Sequence, residues 1–101
     1  MITDEQLQTF CKEVHEKIVA YYAKQFPSLT AEKISFMRGP KFARIVRKND
    51  GEKYGSCFCF VDLANGNILK ADGWKRPAPQ VRGNIANGAA DVTPYGAKYL
   101  K

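Results

Sequence analysis

The sequence predicts an α+β fold: one long N-terminal helix packed on a four-stranded antiparallel meander, with an irregular C-terminal tail. Three observations carry this. Apolar residues recur at helical spacing through the first quarter of the chain, β-prone segments separated by turn dipeptides fill the middle, and both regularities stop after residue 71. A chain of 101 residues suffices for a single domain, 1–101, with a modest core and no covalent staples.

Thr3 with Gln6 three residues on matches a capping box, and Asp4 and Glu5 place negative charge at the positive end of the helix dipole. Leu7, Phe10, Cys11, Val14, Ile18, Tyr21 and Tyr22 then form one apolar stripe, which predicts a helix over 4–25 ended by Pro27. Residues 33–38 alternate around Ile34 and Phe36 and run into Gly39-Pro40, a strand and a tight turn. The second strand, 41–48, carries cations beside hydrophobic groups, and Asn49-Asp50-Gly51 turns the chain again. Residues 54–63 are the most β-prone stretch. Strict alternation there puts Cys57, Cys59, Val61 and Leu63 on one face and Tyr54, Ser56, Phe58, Phe60 and Asp62 on the other. Asn65-Gly66 is a two-residue hairpin turn leading into a fourth strand over 67–71.

Beyond Ala71, Pro77 and Pro79 remove ladder donors, and Gly83, Gly88 and Gly96 interrupt the C-terminal third of the chain. Tyr95, Tyr99 and Leu100 are expected to dock this tail on the core. A tail of about 30 residues without regular structure is long for a compact domain and points to function or to a further element.

The net charge of +6 is unevenly spread: residues 1–30 are net −1, 31–50 net +4, 51–64 net −1 and 65–101 net +4. Such asymmetry favours a polyanionic partner, against the plainer reading of a basic surface kept for solubility. No apolar run approaches the roughly 20 residues a membrane span needs. The acidic, polar N-terminus does not read as a secretory signal, so a cytoplasmic location is expected. Cys11, Cys57 and Cys59 read as reduced, buried thiols. Cys57-x-Cys59 could supply half of a zinc site, but no second Cys/His pair stands at ligand spacing, so no metal or cofactor is expected. His15, flanked by acids at 13 and 16, reads as a half-buried or surface histidine. No nucleophile stands at a defensible spacing from a histidine, and no phosphate-binding glycine loop occurs, so no catalytic residue is assigned and the chain is not expected to be an enzyme.

Three stretches carry the binding chemistry. The first is the aromatic face of the third strand, where Tyr54, Phe58 and Phe60 beside Arg44 and Lys48 would stack bases as single-strand-binding sheets do. Lys53 to Phe60 meets the RNA-recognition octamer at its ends only, and the plainer reading buries both phenylalanines under the tail. The second is Trp74 among Lys70, Lys75, Arg76 and Arg82, a Pro-bounded segment suited to stacking and phosphate neutralisation or to a protein hot spot. Its plainer reading has Trp74 closing one end of the core. The third, Arg82-Gly83-Asn84-Ile85, would bring backbone N–H groups to an anion such as a nucleotide phosphate, or would simply turn the chain.

Residues 41–46 (Lys-Phe-Ala-Arg-Ile-Val) and 60–85, with the block Lys70-Ala-Asp-Gly-Trp-Lys-Arg-Pro-Ala-Pro79 and then Val81-Arg-Gly-Asn-Ile85, resemble a family of small bacteriophage proteins. That family shares a "YARIV…CFID-x-x-NGD-x-x-KAASWKAPAK-x-ARGNI" pattern and a "YGPAYLR"-like ending, here Pro94 to Lys101. Asp72-Gly73 stands where the pattern has Ala-Ser, and Pro79-Gln80 where it has Ala-Lys. The resemblance covers the chain from about residue 41 onward. It implies a phage origin and expression in the cytoplasm of an infected bacterium, and no activity. The expectation is a small phage nucleic-acid-binding protein for single-stranded DNA or RNA, stacking on Tyr54, Phe58, Phe60 and Trp74 and neutralising phosphates with Arg44, Lys48, Lys70, Lys75, Arg76 and Arg82. The alternative is a protein-interaction module that modulates a host enzyme or joins a phage assembly. An exposed sheet edge also invites a homodimer.

Overall fold

The computed structural model of the chain describes residues 1–28, 30–49, 55–93 and 96–97. Helix α1 spans Asp4–Gln25. Its capping box forms as the sequence requires: the Gln6 N–H donates to Thr3 Oγ1 (3.2 Å) and the Thr3 N–H to Gln6 Oε1 (2.8 Å). Phe26 caps the other end through its N–H to the Tyr22 carbonyl, at 2.7 Å, and Pro27 prevents a further turn. Leu7, Phe10, Cys11, Val14 and Ile18 of the stripe are buried, each large apolar side chain contributing about 1.5–3 kcal/mol of transfer free energy.

The sheet has five strands, not four: β1 (Lys33–Arg38), β2 (Phe42–Lys48), β3 (Ser56–Asp62), β4 (Asn67–Ala71) and β5 (Pro77–Asn84), an antiparallel meander in chain order. The tail expected to be irregular supplies β5. Its prolines are tolerated because β5 is an edge strand, with one side free of ladder demands. A short 3-10 turn, η1 (Ile85–Asn87), and a hairpin of β6 (Val92–Thr93) and β7 (Gly96–Ala97) complete the described chain. Tyr95, Tyr99 and Leu100, the expected anchors, lie outside the described residues, as do Asp50 and Gly51 of the expected second turn. Gly96 and Val92 are buried, so this hairpin still docks on the core.

Helix α1 covers one face of the sheet. Ala43, Ile45, Cys59, Val61, Leu63 and Ile68 meet its stripe there, joined by Val92 from the tail. Three ties hold the layers in register. The Ile2 N–H donates to the Leu63 carbonyl (2.7 Å), Arg38 pairs with Asp4 (2.9 Å), and Lys17 Nζ donates to the carbonyls of Ala89 (2.9 Å) and Val92 (2.7 Å). Glu32 gathers the helix's C-terminal half onto the sheet: it accepts from Tyr22 (2.7 Å), pairs with Arg47 (2.9 Å), and its carbonyl accepts from His15 Nδ1 (3.0 Å). His15 is half-buried as expected, and its partner is structural.

Strict alternation fails at one place in β3. Ile45 pairs with Cys59, but Val46 pairs with Cys57, so Phe58 is an extra residue in a β-bulge. Phe58 and Cys59 both turn to the helix side, where both join the core, and Cys57 moves to the opposite face with Val46. The sequence expectation that Phe58 and Phe60 share a face, and that Cys57 and Cys59 share the other, is therefore corrected. The two thiols of the Cys-x-Cys stand on opposite sides of the sheet.

Candidate functional site

The sheet face turned away from α1 carries no covering layer among the described residues. One rung of that face crosses all five strands through successive pairs: Met37 with Arg44, Arg44 with Phe60, Phe60 with Leu69, and Leu69 with Val81. Because pairing places opposed side chains together, these five residues form a continuous row. Its ends are open, Met37 being 51% and Val81 49% exposed.

The row's centre is capped. Trp74, in the turn between β4 and β5, folds back so that its ring centroid lies 4.5 Å from the Arg44 guanidinium, which in turn stands 5.8 Å from the centre of Phe60. Arg44 Nε donates to the Trp74 carbonyl at 2.7 Å, fixing the turn to β2, and Phe42 meets Phe60 edge-on at 6.3 Å. A guanidinium near two aromatic rings is held by cation–π attraction of about 0.5–1 kcal/mol per contact, more where water is excluded. Trp74 keeps 39% of its surface exposed. Beside this stack lies a groove of about 430 Å³, walled by Pro77, Ala78 and Pro79 and floored by Phe42, Leu69 and Val81, with Lys41, Asp62, Asn67 and Arg76 around it.

Among the residues singled out from sequence, Arg44, Phe60 and Trp74 come together, with Lys75 and Arg76 in the same turn as the indole. Lys48 reaches the open face by alternation from Arg44 and Val46 and is exposed. Phe60, at 3% exposure, lies beneath Arg44 and offers no ring to a ligand. Phe58 belongs to the core, with Arg47 5.8 Å from its ring on the helix side. Lys70 alternates with Leu69 and Ala71 of the open face and so leaves the cluster. Arg82 is skipped between the pairs Ile68–Gly83 and Leu69–Val81, an extra residue in a β5 bulge, and is half-buried. Tyr54 lies outside the described residues.

In the stretch Arg82-Gly83-Asn84, the glycine and the asparagine make structural contacts. A Cβ at Gly83 would overlap the Asp91 side chain, so only glycine lets the tail pack there. Asn84 caps η1 by accepting from the Ala86 N–H (2.8 Å) and donates its amide to the Asn65 carbonyl (2.9 Å) and Asn67 Oδ1 (3.0 Å), which ties β5 to the β3–β4 turn. Its N–H donates to Asp91 Oδ2 at 3.1 Å. Met37, Lys41, Phe42, Asp62 and Val81 are site residues that sequence reasoning missed. The β1–β2 turn at Gly39-Pro40 held a signal, since pairing across it sets Met37 opposite Arg44.

Burial pushes the Cys11 thiol up to about 11. Cys57 is likewise raised to about 11 by burial, with the Arg44 charge pulling the other way. Cys59 is raised well beyond its ordinary range by burial and by its two neighbouring thiols. None of them is poised as a nucleophile at neutral pH. No group of three or more His, Cys, Asp or Glu among the described residues is placed to hold a metal, and no helix there is long and apolar enough to cross a membrane.

These features define a class: a two-layer α+β protein in which one helix backs a five-stranded meander and the opposite sheet face is open, aromatic and cationic. Residues 2–93 match a family of unknown function, DUF7717, and the chain belongs to that family. No curated protein and no solved structure matches it.

Proposed function

We propose that the protein binds single-stranded nucleic acid across the open sheet face. The observation that carries this reading is the sorting of charge between the two layers. Among the described residues, Lys33, Lys41, Arg44, Lys48 and Arg76 belong to the open face and its rim by register or contact, with Lys75 in the turn that carries Trp74, against Asp62 and Asp72. Helix α1 on the other side carries Asp4, Glu5, Glu13 and Glu16 against Lys12, Lys17 and Lys24. A flat face with cations of one sign around an indole suits a strand that offers both phosphates and ring faces. Trp74 has one face on Arg44; a base stacks on the other. Lys75, Arg76 and Lys41 neutralise phosphates along the groove, and Lys48 with Lys33 continues the track along β1 and β2. Residues that do no chemistry are enough for this role, and the reading is of a binding protein rather than an enzyme. The resemblance to bacteriophage proteins supplies the setting, the cytoplasm of an infected bacterium. The exposed β1 edge supplies the route to a homodimer.

The test is fluorescence anisotropy with a short labelled oligothymidylate at low salt. A saturable rise is expected, and Trp74→Ala weakens it by about tenfold, the worth of one stacked base at 1–3 kcal/mol. No rise with the intact protein removes the reading. A second reading, docking of an acidic protein partner, is favoured by Met37 and Val81, whose exposed apolar surface no phosphate would cover. Co-purification that survives nuclease treatment separates the two.

A further inference from the structure

We propose that the groove beside the Trp74–Arg44 stack is a base-reading subsite that selects guanine in the bound strand. The inference rests on the nucleic-acid reading above and adds to it which base is read and by which atoms. The groove's size, about 430 Å³, is that of a small-molecule site, and its floor of Phe42, Leu69 and Val81 is apolar, as a flat heteroaromatic ring requires. Lys41 and Arg76 at its rim complement the phosphates on either side of an inserted nucleotide.

The polar groups decide which base. Asp62 projects from the open face at its pairing with Phe42, its Oδ1 accepts the Ala64 N–H at 2.9 Å, and its carboxylate is part of the groove lining. Asn67, also in the groove lining, accepts the Asn84 amide on its Oδ1 at 3.0 Å and carries an NH2 group that donates. The groove thus offers a carboxylate that only accepts and an amide that donates. Guanine alone among the bases carries two adjacent donors, N1–H and the N2 amino group, next to an acceptor, O6. Thymine and uracil set two carbonyls around a single N–H, and adenine and cytosine each set an acceptor nitrogen beside their amino group. Either arrangement turns a lone pair toward the carboxylate. Bidentate, charge-assisted pairing therefore favours guanine.

The experiment measures anisotropy for four labelled single strands: oligothymidylate, and the same strand with every third thymine replaced by guanine, adenine or cytosine. The guanine strand is expected to bind about tenfold tighter than the others, the scale of one bidentate base contact. Replacing each guanine by inosine, which lacks the N2 amino group, removes most of that preference with the protein unchanged. Asp62→Asn keeps the acceptor for the Ala64 N–H and abolishes the difference between the guanine strand and oligothymidylate, whatever it does to their common affinity. Equal affinity for all four strands overturns the guanine assignment and leaves the nucleic-acid reading standing. Binding by none of them overturns both. If free GMP displaces the guanine strand as effectively as an unlabelled strand does, the occupant is a mononucleotide and the assignment to a strand fails.

Discussion

Arg44 joins three parts of the molecule. Its guanidinium lies over Phe60 and over the indole of Trp74, and bonds the carbonyl of the turn that carries that indole. Arg44→Ala uncovers Phe60 and releases the turn, so it is expected to lower stability by about 1–2 kcal/mol, the sum of a cation–π contact and a charge-assisted hydrogen bond discounted for partial exposure. Tryptophan emission should move to the red as the ring enters water. Arg44→Lys keeps the charge but loses the planar stack, and recovers less than half of the loss. Equilibrium urea unfolding followed by that emission reads both effects. The thiols give a second check. Cys11 and Cys57 titrate near 11 in the folded chain, above the roughly 8.5 of an unfolded thiol. The native state therefore holds protons that the unfolded chain has released, and this contribution to stability is full below about pH 8.5 and lost as pH rises toward 11. Thermal melts between pH 8 and pH 10.5 should show a fall in Tm that Cys11→Ala reduces, since that variant has one thiol fewer to titrate.

At the level of elements, the bulge in β3 decides which aromatics belong to the core and which to the surface. Ser-Cys-Phe-Cys-Phe-Val-Asp alternates well in either register, so periodicity alone assigns both phenylalanines to one side. An inserted residue leaves no trace in such a pattern, and only the pairing of Val46 with Cys57 reveals it. Phe58→Ala is accordingly a core truncation and should cost about 3–5 kcal/mol in denaturant unfolding, while any folded fraction binds oligonucleotide as the parent does. Strand β5 escaped sequence reading for related reasons. Two prolines and two register shifts against β4 destroy the alternation that marks a strand, and an edge position is what lets the chain tolerate them. The helix, its capping box and the first four strands were legible because local propensity and burial agree there; the β3–β4 turn was legible in place only, since it spans 63–66 with Gly66 alone at positive φ and is not the two-residue turn expected at Asn65-Gly66. The Trp74 turn was legible as a candidate site from composition. Its attachment to Arg44, 30 residues earlier, depends on pairing that no local pattern records.

The whole molecule separates its charges as it separates its layers. Among the described residues, helix α1 carries four acids against three lysines, and the open face with its rim carries six cations against two acids, Lys41 and Arg76 at the groove and Arg44 at the indole. Lys33 stands directly across from Lys48, so positive charge continues along β1 and β2. A polyanion laid on this face would meet cations along its length, which links the fold's electrostatics to the proposed role. Counterion release makes the link measurable, because the log of affinity falls with the log of salt by about 0.7 for each phosphate contacted on a single strand. A strand that meets Arg44, Lys41, Lys75 and Arg76 should give a slope near −3, and the double variant Lys75→Gln, Arg76→Gln should flatten it by about 1.4. Lys12 and Lys24, exposed on α1, provide the control. Neutralising that pair removes the same net charge from the molecule, yet should leave the slope unchanged, because those side chains face away from the strand. Equal flattening by both pairs would mean that affinity follows net charge and not the open face, and the interface would then have to be sought elsewhere on the surface.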